Sequence, residues 1–165
     1  MTDLLTYSDF TDMMLTAVRQ KTGEIFNCYF DGAIQPVNPG GEIGAGVYIV
    51  NGRGDVASSY SVYRRAAAGN TNNAAEYLAF LTLMQHLADC DHCTINIYGD
   101  SQLVIRQMQG RWRILDGGYK DLALQSKELF NQLCKHNQVK ISWISRDKNT
   151  KADELRKQAI IKGNG

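Results

Sequence analysis

Asp31, Glu76, Asp100 and Asp153 stand where this sequence changes character, and acids so placed could carry out metal-assisted phosphoryl chemistry. Asp31 closes the apolar run Ile25-Phe-Asn-Cys-Tyr-Phe30 and precedes Gly32. Glu76 opens a helical segment in Thr71-Asn-Asn-Ala-Ala-Glu76. Asp100 closes Thr94-Ile-Asn-Ile-Tyr-Gly-Asp100, and Asp153 opens the last helical segment in Asn149-Thr-Lys-Ala-Asp-Glu-Leu155. Acids far apart in sequence but at element ends can converge on one edge of a sheet. A cluster of carboxylates there repels itself unless divalent cations neutralise it, and hard cations prefer oxygen ligands.

Taken singly, each acid has a structural explanation. Asp31-Gly32 reads as a turn after a strand. Asn73-x-x-Glu76 resembles a capping box with Asn73 as the cap, and Thr150-x-x-Asp153 resembles another. Asp100 could cap the helix that follows it. Capping does not require the four to converge, so the conjunction is what points to chemistry.

The elements that must position them follow from periodicity. Phe10, Met13, Met14, Ala17 and Val18 recur at helical spacing over 3–22, and Gly23 can stop that helix. Strands are expected over 24–31, 44–50 and 56–65, separated by the turn-rich Asn38-Pro-Gly-Gly41 and a loop at Asn51-Gly52. A helix over 73–89 is apolar on most faces and so should be buried. A strand over 94–100, helices over 102–108 and 119–136, a strand over 139–144 and a helix over 150–161 complete the chain. Helical crossovers demand parallel pairing of the first, fourth and fifth strands, while short loops make the first three an antiparallel meander. The expected fold is α/β: one five-stranded mixed sheet flanked by helices, with residues 24–162 as the domain and 1–23 as a helical extension. Sites in such sheets lie at the carboxyl ends of the parallel strands.

Composition narrows the classes further. A length of 165 residues suits one domain, and a net charge of +1 leaves nucleic-acid binding to local patches. No apolar run is long enough to span a membrane, and Asp3, Asp9 and Asp12 interrupt any signal-peptide core. Four cysteines are few for a disulfide scaffold, so a reducing cytoplasm is expected. Cys90-Asp-His-Cys93 has metal or redox spacing, but closed zinc coordination needs two more ligands.

Five motifs, in order, carry a resemblance to the type 1 ribonuclease H family: Tyr29-Phe-Asp-Gly32, Asn38-Pro-Gly-Gly41 with Gly44-Ala-Gly46, Thr71-Asn-Asn-Ala-Ala-Glu76, Gly99-Asp-Ser-Gln-Leu-Val104 and Asn149-Thr-Lys-Ala-Asp-Glu-Leu155. The resemblance covers about residues 24–160. It implies an endonuclease that hydrolyses the RNA strand of an RNA/DNA hybrid, leaving 5′-phosphate and 3′-hydroxyl ends. Asp31, Glu76, Asp100 and Asp153 would be the catalytic acids, holding two Mg²⁺ ions that Mn²⁺ can replace. Asn72, Asn73 and Gln102 would read the minor groove through their amides, Thr71 with Asn38 nearby would take a DNA phosphate, and Asn149 would join the substrate contacts. A monomer is expected, with the N-terminal helix able to mediate self-association.

The chain departs from the pattern in two places. Many bacterial members carry a His in the loop before the last acid; here that loop, 143–149, has none, and Arg146 is the candidate substitute, able to hold a phosphate bidentately. The basic, Trp-rich protrusion of several members is reduced to Gln109-Gly-Arg-Trp-Arg113, with Lys120 beyond it, so fewer phosphate contacts are expected. Two other readings stay open from sequence: a non-catalytic hybrid-binding module, and another nuclease of the same superfamily.

Overall fold

The computed structural model describes residues 21–163. In chain order the elements are β1 (Lys21–Thr22), β2 (Ile25–Gln35), β3 (Glu42–Asn51), β4 (Val56–Arg64), α1 (Asn72–Leu87), β5 (Cys90–Asp91), β6 (Thr94–Gly99), α2 (Gln102–Met108), α3 (Lys120–His136), β7 (Gln138–Trp143) and α4 (Thr150–Gly163). A short 3-10 turn, Arg146–Lys148, precedes α4. The main sheet has the order β4-β3-β2-β6-β7, antiparallel across the meander and parallel from β2 through β6 to β7. The expected mixed five-stranded sheet is therefore the observed one.

Alternation decides which way the central strand faces. Phe26, Cys28 and Phe30 of β2 are buried in the core, whereas Asn27 and Tyr29 are only half-buried on the opposite face. The Phe30 ring meets Phe80 of α1 edge-on, with centroids 5.2 Å apart. α1 is buried on most of its surface, as its composition implies, because α3 packs against it and the sheet lies beneath it. α3 is one-sided, burying Ala123, Phe130 and Leu133. α4 covers the other face of the sheet, over β3, β4 and β2. Cys28, Cys90 and Cys93 lie within the core cluster, so burial accounts for the Cys90/Cys93 pair. Among the described residues, no helix is long and apolar enough to cross a membrane.

Glycines let both helices touch the sheet. A Cβ on Gly32 would lie 2.1 Å from the Ala75 carbonyl oxygen of α1. One on Gly46 would lie 2.3 Å from the Ala152 carbonyl oxygen of α4. Gly46 pairs with Asp31 and Ala45 with Gly32, so these close approaches fall on either face of the sheet beside the first acid.

Two expectations need correction. The first strand does not end at Asp31: β6 stops pairing at Phe30↔Gly99, but β3 continues alongside β2 as far as Gln35↔Glu42. Asp31 is thus a mid-strand residue lying just beyond the end of its parallel neighbour. The helix expected over 3–22 lies almost wholly outside the described residues. Its last two positions form β1, which pairs in parallel with β5 through Lys21↔Cys90 and Thr22↔Asp91. Gly23, at φ +70°, then turns the chain into β2, its N–H donating to the His92 carbonyl.

Candidate active site

The end of β6 leaves a gap beside β2, and acids from both faces of the sheet reach Asp31 there. Oxygens of Asp31, Glu76 and Asp100 lie within 4.8 Å of one another. Asp31 is 2% exposed and Glu76 7%, so this is a buried cluster and not a solvated acidic rim. Two of the capping explanations do not hold. Thr71 caps α1 by accepting from the Ala74 N–H, which puts Glu76 in the second turn, and neither Asn73 nor Glu76 belongs to a capping box. Ser101 caps α2 by accepting from the Val104 N–H, which leaves Asp100 uncommitted.

Electrostatics follow from the burial. Desolvation, reinforced by the Asp100 charge, pushes Asp31 up to about 7 although Arg156 opposes the shift. Desolvation and the charges of Asp31 and Asp100 push Glu76 well above the usual carboxylate range, partly offset by a hydrogen bond from the Gly32 amide. Glu76 Oε2 and Asp100 Oδ1 are buried without a hydrogen-bond partner. Orphaned buried acceptors of this kind are rare in folded proteins and call for a cation or water. The donor set is all oxygen, so the residues present fit a hard divalent cation. Among the described residues, this is the cluster that could hold a metal ion; Cys90 and Cys93 form no such group.

Asp153 sits differently. It lies in the first turn of α4 and accepts from Arg156 Nη2 at 2.5 Å and pairs with Lys157 Nζ at 2.8 Å. Burial works against its ionisation, but Lys157 and Arg156 outweigh this and hold its carboxyl below the usual value. Arg156 also donates from Nε to Asp31 Oδ2 at 2.6 Å, linking the fourth acid to the other three.

A sequence profile described as reverse transcriptase-like matches residues 29–159. A ribonuclease HI of Halobacterium salinarum is 31% identical over 150 residues, covering 91% of this chain and 71% of that protein. The chain belongs to the type 1 ribonuclease H family. The crystal structure of RNase H1 from the same archaeon is similar at TM-score 0.70 and 30% identity, over 84% of this chain and 98% of that one. A crystal structure of LC11-RNase H1 in complex with an RNA/DNA hybrid is similar at TM-score 0.71 and 27% identity, over 85% and 99% of the two chains.

The remaining residues expected for a ribonuclease H fall into two groups. Asn38, Thr71, Asn72 and Asn73 gather where the loop after β2 meets the start of α1, Asn38 Oδ1 accepting from the Asn72 N–H at 3.2 Å. Asn38, Asn72 and Asn73 are exposed. Gln102, exposed at the start of α2, lines a cavity of about 230 Å³ with Arg106, Arg111 and Trp143. Arg146 reaches the cluster, its Nε 3.7 Å from Asp100 Oδ2, while its side chain stays 77% exposed. Asn149 is placed otherwise than expected. It is 1% exposed, and its Nδ2 donates to the Phe30 carbonyl at 2.9 Å, which makes it a strut between the start of α4 and β2 with no open face for substrate. Lys120 is paired with Asp116 at 2.6 Å, and the Arg106 guanidinium lies over Trp112, 5.4 Å from its ring centroid.

Two residues of the site region escaped sequence reasoning. Arg156 stands three residues after Asp153, a spacing that pairs side chains on one helix face, but nothing local shows that it also reaches Asp31, which is 125 residues away. Gln107 is a buried hub: it accepts from the Tyr77 hydroxyl and donates to the Arg113 carbonyl at 2.7 Å, pinning the shortened loop after α2. A Gln in a helix carries no signal of such a role.

Proposed function

We propose that this chain is a metal-dependent endoribonuclease that hydrolyses the RNA strand of RNA/DNA hybrids, with two Mg²⁺ ions as cofactor and Mn²⁺ able to replace them. The observation that carries the reading is the convergence of buried Asp31 and Glu76 with the partly buried Asp100, with two orphaned oxygens among them. Divalent cations held there supply water activation and neutralise the charge that builds on the reacting phosphate. Products with 5′-phosphate and 3′-hydroxyl ends follow from cleavage of the bond to the 3′-oxygen.

The chain's own groups do the rest. Asn72, Asn73 and Gln102 offer amides that both donate and accept, suited to base edges and to the 2′-hydroxyl that distinguishes RNA from DNA. Asn38 and Thr71 lie beside the first two, where a phosphate of the DNA strand would run. Arg146, exposed but close to Asp100, can hold the scissile or product phosphate through its planar fork. It cannot act as a proton shuttle, because guanidinium keeps its charge near neutral pH. The buried thiols suit a reducing cytoplasm.

The test is cleavage of an end-labelled RNA/DNA hybrid in Mg²⁺ by the intact chain and by Asp100→Asn. The expected result is cleavage of the RNA strand that the substitution removes. No cleavage by the intact chain, or cleavage that survives the substitution, overturns the reading.

A further inference from the structure

The four acids are not equally short of positive charge. Glu76 Oε2 and Asp100 Oδ1 are buried and unpartnered. Asp31 and Asp153, by contrast, share the guanidinium of Arg156, which forks between them at 2.6 and 2.5 Å. Arg156 is only 9% exposed, and Lys157 takes the second oxygen of Asp153 at 2.8 Å. The backbone that carries Arg156 is pressed against β3. A Cβ on Gly44 would lie 2.3 Å from the Arg156 carbonyl oxygen, and one on Gly46 would lie 2.8 Å from its nitrogen. The fork is therefore built into the helix–sheet contact and is not a chance surface pair.

We propose that Arg156 is a built-in counter-cation that holds the Asp31–Asp153 side of the site, so that the chain loads one divalent ion at Asp31, Glu76 and Asp100 and admits a second only when the guanidinium leaves. This rests on the metal-dependent reading above. A guanidinium and a divalent ion compete for the same carboxylate lone pairs. Arg156 cannot yield by losing its proton, so it yields only by swinging away. On this account Arg156 is a positioning residue that sets metal stoichiometry, and the Asp31–Asp153 pair is the part of the site where loading is controlled.

Calorimetric titration of the full chain with Mg²⁺, without nucleic acid and at alkaline pH where the acids stay ionised, tests it directly. The wild type should bind one equivalent well and a second weakly. Arg156→Gln should bind the second at least about ten-fold more tightly, the low end of what one charge in contact does to a neighbouring ionisation. Arg156→Lys, which keeps the charge, should stay near the wild type. A second readout separates this role from simple packing. Arg156→Gln should melt below the wild type in chelator, and saturating Mg²⁺ should close the gap, because the second ion then does what the guanidinium did. If Arg156→Gln is unfolded in chelator, recovery in Mg²⁺ supports the proposal and failure to recover overturns it. Equal Mg²⁺ binding by the wild type and Arg156→Gln, or a melting gap that Mg²⁺ leaves open, rejects the role of Arg156 alone. Absence of Mg²⁺ binding by all three proteins rejects the metal reading and this proposal with it.

Discussion

Gly32→Ala should unseat Glu76 without replacing any acid. A Cβ at position 32 would lie 2.1 Å from the Ala75 carbonyl oxygen, 2.4 Å from its carbon and 2.8 Å from the Glu76 nitrogen. Real Cβ contacts essentially never fall under 3.0 Å, and these are backbone atoms that cannot rotate away. Relief therefore requires β2 and α1 to separate by roughly 0.9 Å at that turn, the difference between 3.0 and 2.1 Å. Overpacking of this kind costs about 1–3 kcal/mol, which for a domain of this size is a fall in Tm of roughly 2–12 °C. Glu76 rides on the displaced turn, and a shift of about 1 Å in a group that fixes reacting geometry costs on the order of 100-fold in rate. The assay is thermal unfolding together with hybrid cleavage at saturating substrate. Gly69→Ala is the control: no heavy atom lies within 4 Å of its added Cβ, so it should stay within about 0.5 kcal/mol of the wild type. If Gly32→Ala matched Gly69→Ala in both Tm and turnover, the claim that glycine contact positions Glu76 would fail.

In chelator, stability should fall as pH rises from about 4 through 7. Asp31 keeps its proton in the fold up to about 7 but loses it near 3.8 when unfolded, so the folded state binds more protons across that window. A shift of about three units corresponds to a loss on the order of 4 kcal/mol, and Mg²⁺ should flatten the profile; thermal melts across this range that show no fall in chelator would refute it. Arg146→Ala should lower turnover roughly ten-fold or more, the weight of one charge-assisted hydrogen bond, and well beyond any loss of hybrid affinity; comparing kcat with Kd for the hybrid decides this. Asn149→Ala should destabilise by about 1–3 kcal/mol by leaving the buried Phe30 carbonyl without its donor, measurable by denaturant unfolding in Mg²⁺.

Much of the site is legible in the sequence because motif and element coincide. The apolar runs ending near Asp31 and Asp100, and the helical segments carrying Glu76 and Asp153, set which residues could meet. The crossover rules for parallel strands put the two aspartates at the same sheet edge. Where sequence reasoning misplaces a strand boundary, non-local pairing is the cause: β3 prolongs β2 past the apparent Asp31-Gly32 turn. The shift of the α1 cap from Asn73 to Thr71 is local, since Thr71 accepts from the Ala74 N–H three residues on. The strand Lys21–Thr22 exists through pairing with Cys90–Asp91, which no periodicity over 3–22 could reveal.

The sequence by itself determined the order of the elements around the main sheet, the mixed pairing of that sheet and the four acids as candidates, since periodicity, glycine placement and acid position are local properties. Tertiary structure alone decided how those acids differ. It buried Asp31 and Glu76, set Asp100 against them and left two oxygens without partners. It turned Asn149 inward to the Phe30 carbonyl. It also brought Arg156 across the sheet to Asp31, because Gly44 and Gly46 let α4 lie directly on β3. Desolvation and charge pairing depend on neighbours distant in the chain, so they become definite only when the helices settle on the sheet.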